Sequence, residues 1–476
     1  MTQKLTSGSL FLILLLSIVA LSRCRKDEFN NDPGFRLGFS TDTVMFDTVF
    51  TTIGSSTQSL VVRNNSSNKI NISKISLARG KASPFRINID GTAAEEYRDL
   101  EIGPNDSAYI FIKVTIDPNN ANTPMVETDS IVFETNGQVQ DVKLVAWGQD
   151  AYFHLNTTLH GNVTLPADKP HVVYGVLTAG NGCVLNINAG TRMYFHNGSS
   201  LQIRKGATLN VAGTLEAPVI FTGDRLEDYY LDKPGLWDGI WLENGSQNNS
   251  LTYAEITNAK VGIQADGSGL AEDKPLQLHN CMIHNMTNYG IRATGSGIVA
   301  TNCQVTNCGG NVVSIENGGN YDFRNCTLAR YFSGKGYPAV SISNYFQDST
   351  GKQFPGALTG AYFGNCIITG NQYDEIALNE LKGTPFVFQF DYCLVNWEKV
   401  KEYETNFINC IFNKDVNFMN VDSNNFQLDT LSFAIDAASS SIINATVPDI
   451  KLDRKGVSRL VPGPPDMGAY ERVEKK

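Results

Sequence analysis

Apolar positions in the first third of this chain alternate with polar ones in short runs. Residues 47–53 (DTVFTTI), 58–63 (QSLVVR), 70–77 (INISKISL), 85–89 (FRINI), 107–116 (SAYIFIKVTI), 129–134 (DSIVFE) and 141–147 (DVKLVAW) follow this pattern or run apolar. A period of two places alternate side chains on one face of a strand. Turn-forming pairs separate the runs: Asn64-Asn65, Asp90-Gly91, Gly103-Pro104, Asp117-Pro118 and Asn136-Gly137. Seven short strands at this spacing predict a two-sheet β-sandwich over residues 37–150.

Further along the pattern gains a longer period. An Asn-Cys cassette followed by an aliphatic recurs as Asn280-Cys281, Asn302-Cys303, Asn325-Cys326, Asn365-Cys366, the variant Tyr392-Cys393, and Asn409-Cys410. The first cysteines lie 22 and 23 residues apart, and the later steps are 40, 27 and 17. A period in the twenties that tolerates insertions marks a solenoid, because each coil contacts only its neighbours. Helical repeats need apolar residues at i, i+3 and i+4, and these segments lack that spacing. The short alternations bounded by Asn and Gly predict stacked parallel strands about 4.8 Å apart. Cys is small and apolar enough for an inward stack, and Asn tolerates the left-handed turn. Neighbouring Asn side chains are expected to bond along the stack. Earlier runs such as 184–187, 190–195, 200–203, 207–211 and 219–221 begin the same solenoid, which is read over 151–420.

The cassette resembles the repeat of the right-handed β-helix proteins, the pectate-lyase-like superfamily. The fold class is therefore read as all-β: an N-terminal immunoglobulin-like β-sandwich followed by a right-handed single-stranded parallel β-helix. The sandwich resembles immunoglobulin-like domains of the major-sperm-protein and Hydin type, through Asn64-Asn65, Pro84-Phe85 and Gly103-Pro104. That resemblance implies a spacer, with a binding module as the other reading. The segment 421–476 carries Asp453-Arg454 and Asp466-Met467-Gly468-Ala469-Tyr470-Glu471, and resembles the terminal segment of bacterial β-helix surface proteins. It implies a C-terminal cap in which Asp466 pairs with Arg454 or Arg459.

The start of the chain reads as an address. Lys4 precedes a 12-residue apolar run, 10–21, too short to span a bilayer comfortably. Leu21-Ser22-Arg23-Cys24 resembles a lipobox, although Arg23 departs from the usual small residue. The resemblance implies a signal peptide over 1–23, a lipid anchor on Cys24 and a tether over 24–36; an uncleaved membrane anchor is the other reading. Arg25-Lys26-Asp27-Glu28 resembles the export signal of surface lipoproteins in glycan-foraging Gram-negative bacteria. An outer-membrane lipoprotein exposed on the cell surface is expected.

Composition narrows the partners. The 476 residues carry a net charge of −10 with no basic run outside the signal, which argues against nucleic acid. Of nine Cys, one is the lipid site and most others fall at equivalent repeat positions, so free buried thiols are expected rather than disulfides. Cys303 and Cys308 have no second pair at ligand spacing, so no zinc, other metal or cofactor is read, and a monomer is expected.

Candidate chemistry sits in three insertions, 224–233, 331–359 and 373–383, because loops on a rigid scaffold concentrate function. If they share one side, they border a groove. Tyr229, Tyr230 and Tyr337 lie in them. Trp237 and Trp241 are four apart and so share a side on a regular strand, as a sugar-stacking platform or as core. β-helix lyases need a base and a cation that neutralises a uronate; Arg292, Arg324, Lys335 and His284 are the residues that would supply such a site. No Asp-Asp pair, no Gly-His-Gly and no run of three carboxylates marks a hydrolase or a calcium cluster. The leading expectation is non-catalytic recognition of a polysaccharide or a surface protein; a polysaccharide lyase or glycoside hydrolase is the alternative.

Overall fold

A computed structural model describes residues 28–118, 125–267, 276–334, 336–398, 400–444, 450–460 and 463–473. The chain divides into two compact units at Asp150 and Ala151.

Among the described residues the first unit holds two five-stranded sheets. One runs Gly38–Phe39, Gln58–Arg63, Ser107–Val114, Phe85–Ile89, Thr92–Ala94; the other Thr43–Phe50, Gln138–Gln149, Met125–Thr135, Ile70–Leu77, Glu96–Ile102. Their inward positions, including Phe46, Phe85, Ile110 and Phe133, form one buried core. Neighbouring strands are antiparallel except Thr43–Phe50, which runs parallel to Gln138–Gln149. The alternating runs at 58–63, 70–77 and 85–89 coincide with strands, whereas the run at 47–53 begins four residues earlier and turns at Thr52, φ 67°. Glu96–Ile102 escapes the pattern because it is a charged edge strand that buries only Leu100 and Ile102. Residues 28–36, read as tether, are bonded along this unit from Glu28 onward. The Lys69 N–H donates to the Glu28 carbonyl at 3.1 Å, and Asn136 Nδ2 to the Asn30 carbonyl at 2.8 Å.

The second unit is a parallel β-helix. A seventeen-strand sheet and an eleven-strand sheet run its length among the described residues. The larger sheet folds over a corner into two faces. Strand Tyr289–Thr301 shows this: its first half pairs with Ala259–Asp266 and its second half with Leu276–His279. Each regular coil thus has a first face (291–294), a second face (298–301) and a third face (Gln304–Cys308) in the smaller sheet. The core is a continuous stack of Ile, Leu, Val, Phe and Cys. Each fully buried aliphatic contributes about 1.5–3 kcal/mol.

The Asn-Cys cassette forms the corner between the second and third faces. Asn280, Asn302, Asn325, Asn365, Tyr392 and Asn409 all adopt φ between 49° and 55°. Asn tolerates this left-handed geometry and closes a turn that most residues resist. The following Cys points inward, and Cys326, Cys366 and Cys393 each donate their thiol to a carbonyl of the preceding coil. All eight described cysteines are free. The expected Asn-to-Asn ladder is largely replaced by another partner. Among the described cassette residues, only Asn365 reaches its neighbour, Asn325 (3.4 Å), whereas Asn302 donates to the Leu452 carbonyl (2.8 Å) and Asn365 also to that of Ser439 (3.0 Å).

That partner is the tail, read from sequence as an end cap. It is a strap laid along the third face. Arg454 pairs with Glu255 at 3.1 Å, Tyr470 donates to Gln304 at 2.6 Å, and Ala469 N–H donates to Thr327 at 3.0 Å. Ile367 and Leu394, outward on that face, are buried beneath Val416, Leu428 and Met467. Arg459 is fully buried and pairs with Glu471 at 2.6 Å. The expected Asp466 partnership with Arg454 or Arg459 is replaced: its carboxylate accepts the N–H groups of Asp436 and Arg472, both at 2.7 Å. The last coil is closed by aromatics: Phe363, Phe390 and Phe407 stack, and Trp397 packs on Phe407.

Candidate functional site

The strap occupies the third face, which leaves the first face open. The insertions border it on both edges. Segments 224–236, 331–338 and 371–375 leave the coil between the third and first faces. The hairpin Tyr345–Gln347 with Gln353–Pro355, and segment 380–386, leave between the first and second faces. The long insertion at 331–359 is therefore two insertions on opposite edges.

The floor is set by register. Gln202, Trp241, Gln264, Arg292 and Ser314 pair in sequence across five coils with side chains outward. A parallel column carries Asp266, Thr294 and Glu316. Trp241 donates its indole N–H to Asp266 at 2.8 Å, and Gln264 Nε2 donates to the same oxygen at 2.7 Å. Arg292 is bidentate to Glu316, at 3.2 and 2.9 Å, and lies 5.7 Å over the Tyr289 ring. The Glu316 hydrogen bonds push the Arg292 guanidinium further up, and burial raises the Tyr289 phenol. Lys260 pairs with Asp238 at 2.8 Å, and Arg204 pairs with Glu243. Beside the columns a cavity of about 530 Å³ is lined by Asn244, Asp266, Thr294, Asn317 and Thr359 among others. The arrangement offers an indole face, amides, hydroxyls and carboxylates: groups that stack on sugar rings and bond to hydroxyls.

The residues proposed from sequence separate. Trp241 and Arg292 stand on this floor. Tyr229 and Tyr230 sit edge to face at the rim, with Lys233 and Arg225 over their rings, and Tyr337 is on the same rim, half exposed. Trp237 is core: it is fully buried, stacks on Phe195 at 4.2 Å and donates to the Thr257 carbonyl. The two tryptophans do not share a side because Gly239, at φ +122°, bulges the strand between them. A Cβ there would lie 1.7 Å from the Val261 carbonyl oxygen, so only Gly fits. Arg324 lies on the second face, bound to Asp322 at 2.8 Å. His284 lies on the third face, half-buried, and burial pushes its imidazole down to about 4. The basic group imagined as one lyase site is thus spread over three faces, because spacing along the chain does not specify face. Lys335 and Cys24 fall outside the described residues.

Gln264, Asp266, Tyr289 and Glu316 escaped the sequence reading, because the length from each to the next cassette Asn varies: Asp266 lies 14 residues before Asn280 and Glu316 lies 9 before Asn325, and only the strand register stacks them. A second column went unnoticed. Tyr174, His196 and Asp224 stack at the corner entering the first face, with rings 4.5 Å apart and His196 Nδ1 2.8 Å from Asp224. Burial, then Asp224, pushes the Tyr174 phenol up to about 12, and burial raises Asp224. This column anchors the base of the 224–233 loop.

Residues 157–278 match the family model described as a pectate-lyase like beta helix domain. With the parallel coils, this supports the β-helix superfamily and fits a carbohydrate-related role. No curated protein matches the chain. Among solved structures, a family 123 glycoside hydrolase from Clostridium perfringens matches at 12% identity and TM-score 0.18, over 25% of this chain and 31% of that one. The ASH/PapD-like domain 7 of human CEP192 matches at 10% and 0.17, over 25% of this chain and 91% of that one. A protein of unknown function from Porphyromonas gingivalis W83 matches at 11% and 0.18, over 26% and 60%. Likenesses of this size leave the functional reading to the site.

Proposed function

We propose that this protein is a monomeric outer-membrane lipoprotein, anchored through Cys24, whose β-helix binds a glycan on its first face without cleaving it. The immunoglobulin-like sandwich acts as a spacer that holds the β-helix off the membrane. The observation that carries the reading is the outward strip from Trp241 to Glu316, open and bordered by insertions on both edges. Coils repeat at about 4.8 Å, so a chain lying along the axis meets successive coils at nearly the pitch of its sugars. A lyase would need a cation free to neutralise a uronate, and Arg292 is committed to Glu316. Electrophoresis through gels containing dissolved polysaccharides tests the reading. Retardation by a polysaccharide, lost in Trp241→Ala, supports it; no retardation, with unsaturated product released from uronate polymers, overturns it. Radiolabelled palmitate incorporated by the wild type and lost in Cys24→Ala tests the anchor.

A further inference from the structure

The ion pairs of the first face say which glycans it takes. Among the described ion pairs along the floor, Arg204, Lys260 and Arg292 are each paired with a carboxylate: Glu243, Asp238 and Glu316. One carboxylate is left over. Asp266 has no basic partner among the described ion pairs; it is held by two neutral donors, the Trp241 indole and the Gln264 amide. Both lie on the same face of the sheet, at adjacent register positions. Arg292 stands next in line after Gln264, yet its Nε–Nη2 edge is turned to both oxygens of Glu316 on the following coil.

We infer that the first face selects neutral polysaccharides and rejects polyuronates and sulfated glycans; this rests on the glycan-binding reading above. A carboxylate on every sugar would meet Asp266 and the outer oxygens of three paired acids, while among the described floor strands each base already faces a carboxylate. An unpaired like charge at about 6 Å costs roughly tenfold in affinity in a half-solvated site. Neutral hydroxyls face no such opposition. They can donate to Asp266 and Glu316, accept from Gln264, and enter the cavity lined by Asn244, Thr294 and Thr359. Trp241, partly exposed, supplies the apolar face on which a pyranose ring stacks.

The test is affinity electrophoresis of the full protein in gels containing a linear neutral glucan, mannan, xylan or galactan, against polygalacturonate, at low salt and at high salt. At least one neutral polymer is expected to retard the protein equally at both salts, and polygalacturonate is expected not to. Glu316→Gln releases Arg292 and is expected to confer retardation by polygalacturonate that high salt abolishes. If the wild type is retarded by polygalacturonate and not by the neutral polymers, the selectivity is overturned while glycan binding stands. If no polymer retards it, the binding reading itself fails and the selectivity with it.

Discussion

Trp241 donates its indole N–H to the carboxylate of Asp266, one coil further along the β-helix, at 2.8 Å. The bond fixes the ring on the floor of the first face while leaving 36% of the residue exposed. Trp241→Ala should therefore weaken glycan binding at least tenfold in calorimetric titration and hardly move the unfolding midpoint. Trp237→Ala, four residues away and fully buried, should instead destabilise the β-helix by about 3–5 kcal/mol in denaturant unfolding. Equal destabilisation by both would place Trp241 in the core and refute the assignment.

Much of this architecture was legible in the sequence, for one physical reason. The Asn-Cys cassette combines a left-handed turn with an inward small side chain, and Asn302-Cys303 or Asn325-Cys326 can be recognised without any neighbour. The alternation at 58–63 and 70–77 is likewise local. What escaped is non-local. The Gly239 bulge reverses the side on which Trp241 points, and the 415–473 strap packs beside coils up to two hundred residues earlier, as Arg454 does on Glu255. The Arg292–Glu316 pair needs the register of two coils, which the spacing of charges along the chain does not supply.

Glu375 predicts a pH dependence. It is fully buried, accepts the N–H groups of Gln372 and Ala339 at 2.6 and 2.7 Å, and burial raises its carboxyl from 4.5 to about 7. A carboxyl raised in the folded state holds its proton there after the unfolded chain has lost it. Its contribution is complete below pH 4.5 and is lost as pH rises through 7, amounting to about 3 kcal/mol. Urea unfolding between pH 4.5 and 7.5 should show a fall in stability that Glu375→Gln makes shallower; an unchanged slope would remove Glu375 as its source.

The strap should be held by its buried ion pair. Arg459 has no exposed side-chain surface and pairs with Glu471 at 2.6 Å while also donating to Asn302 of the corner. Removing one partner of a buried pair costs about 3–5 kcal/mol, because the other charge is left uncompensated. Arg459→Ala and Glu471→Ala should each destabilise by that order, and the double variant by far less than their sum. Additive losses would mean that the two side chains act independently.

The thiols should be silent until the chain unfolds. Seven of the eight described cysteines are buried, Cys410 is partly so, and burial raises Cys281, Cys303, Cys326, Cys366 and Cys393 well above the ordinary thiol range. With Cys24 lipidated, a thiol-specific disulfide reagent should label at most Cys410 rapidly in the native protein, and the other eight of the nine cysteines in denaturant without reductant. Fewer than eight in denaturant would reveal disulfides.

Hydrogen exchange with and without a retained oligosaccharide tests the central claim most directly. Ligand-dependent protection is expected in Trp237–Leu242, Ala259–Asp266 and the first half of Tyr289–Thr301, the strands that form the floor of the first face. Protection confined to the sandwich strands, or to the strap over the third face, would contradict it.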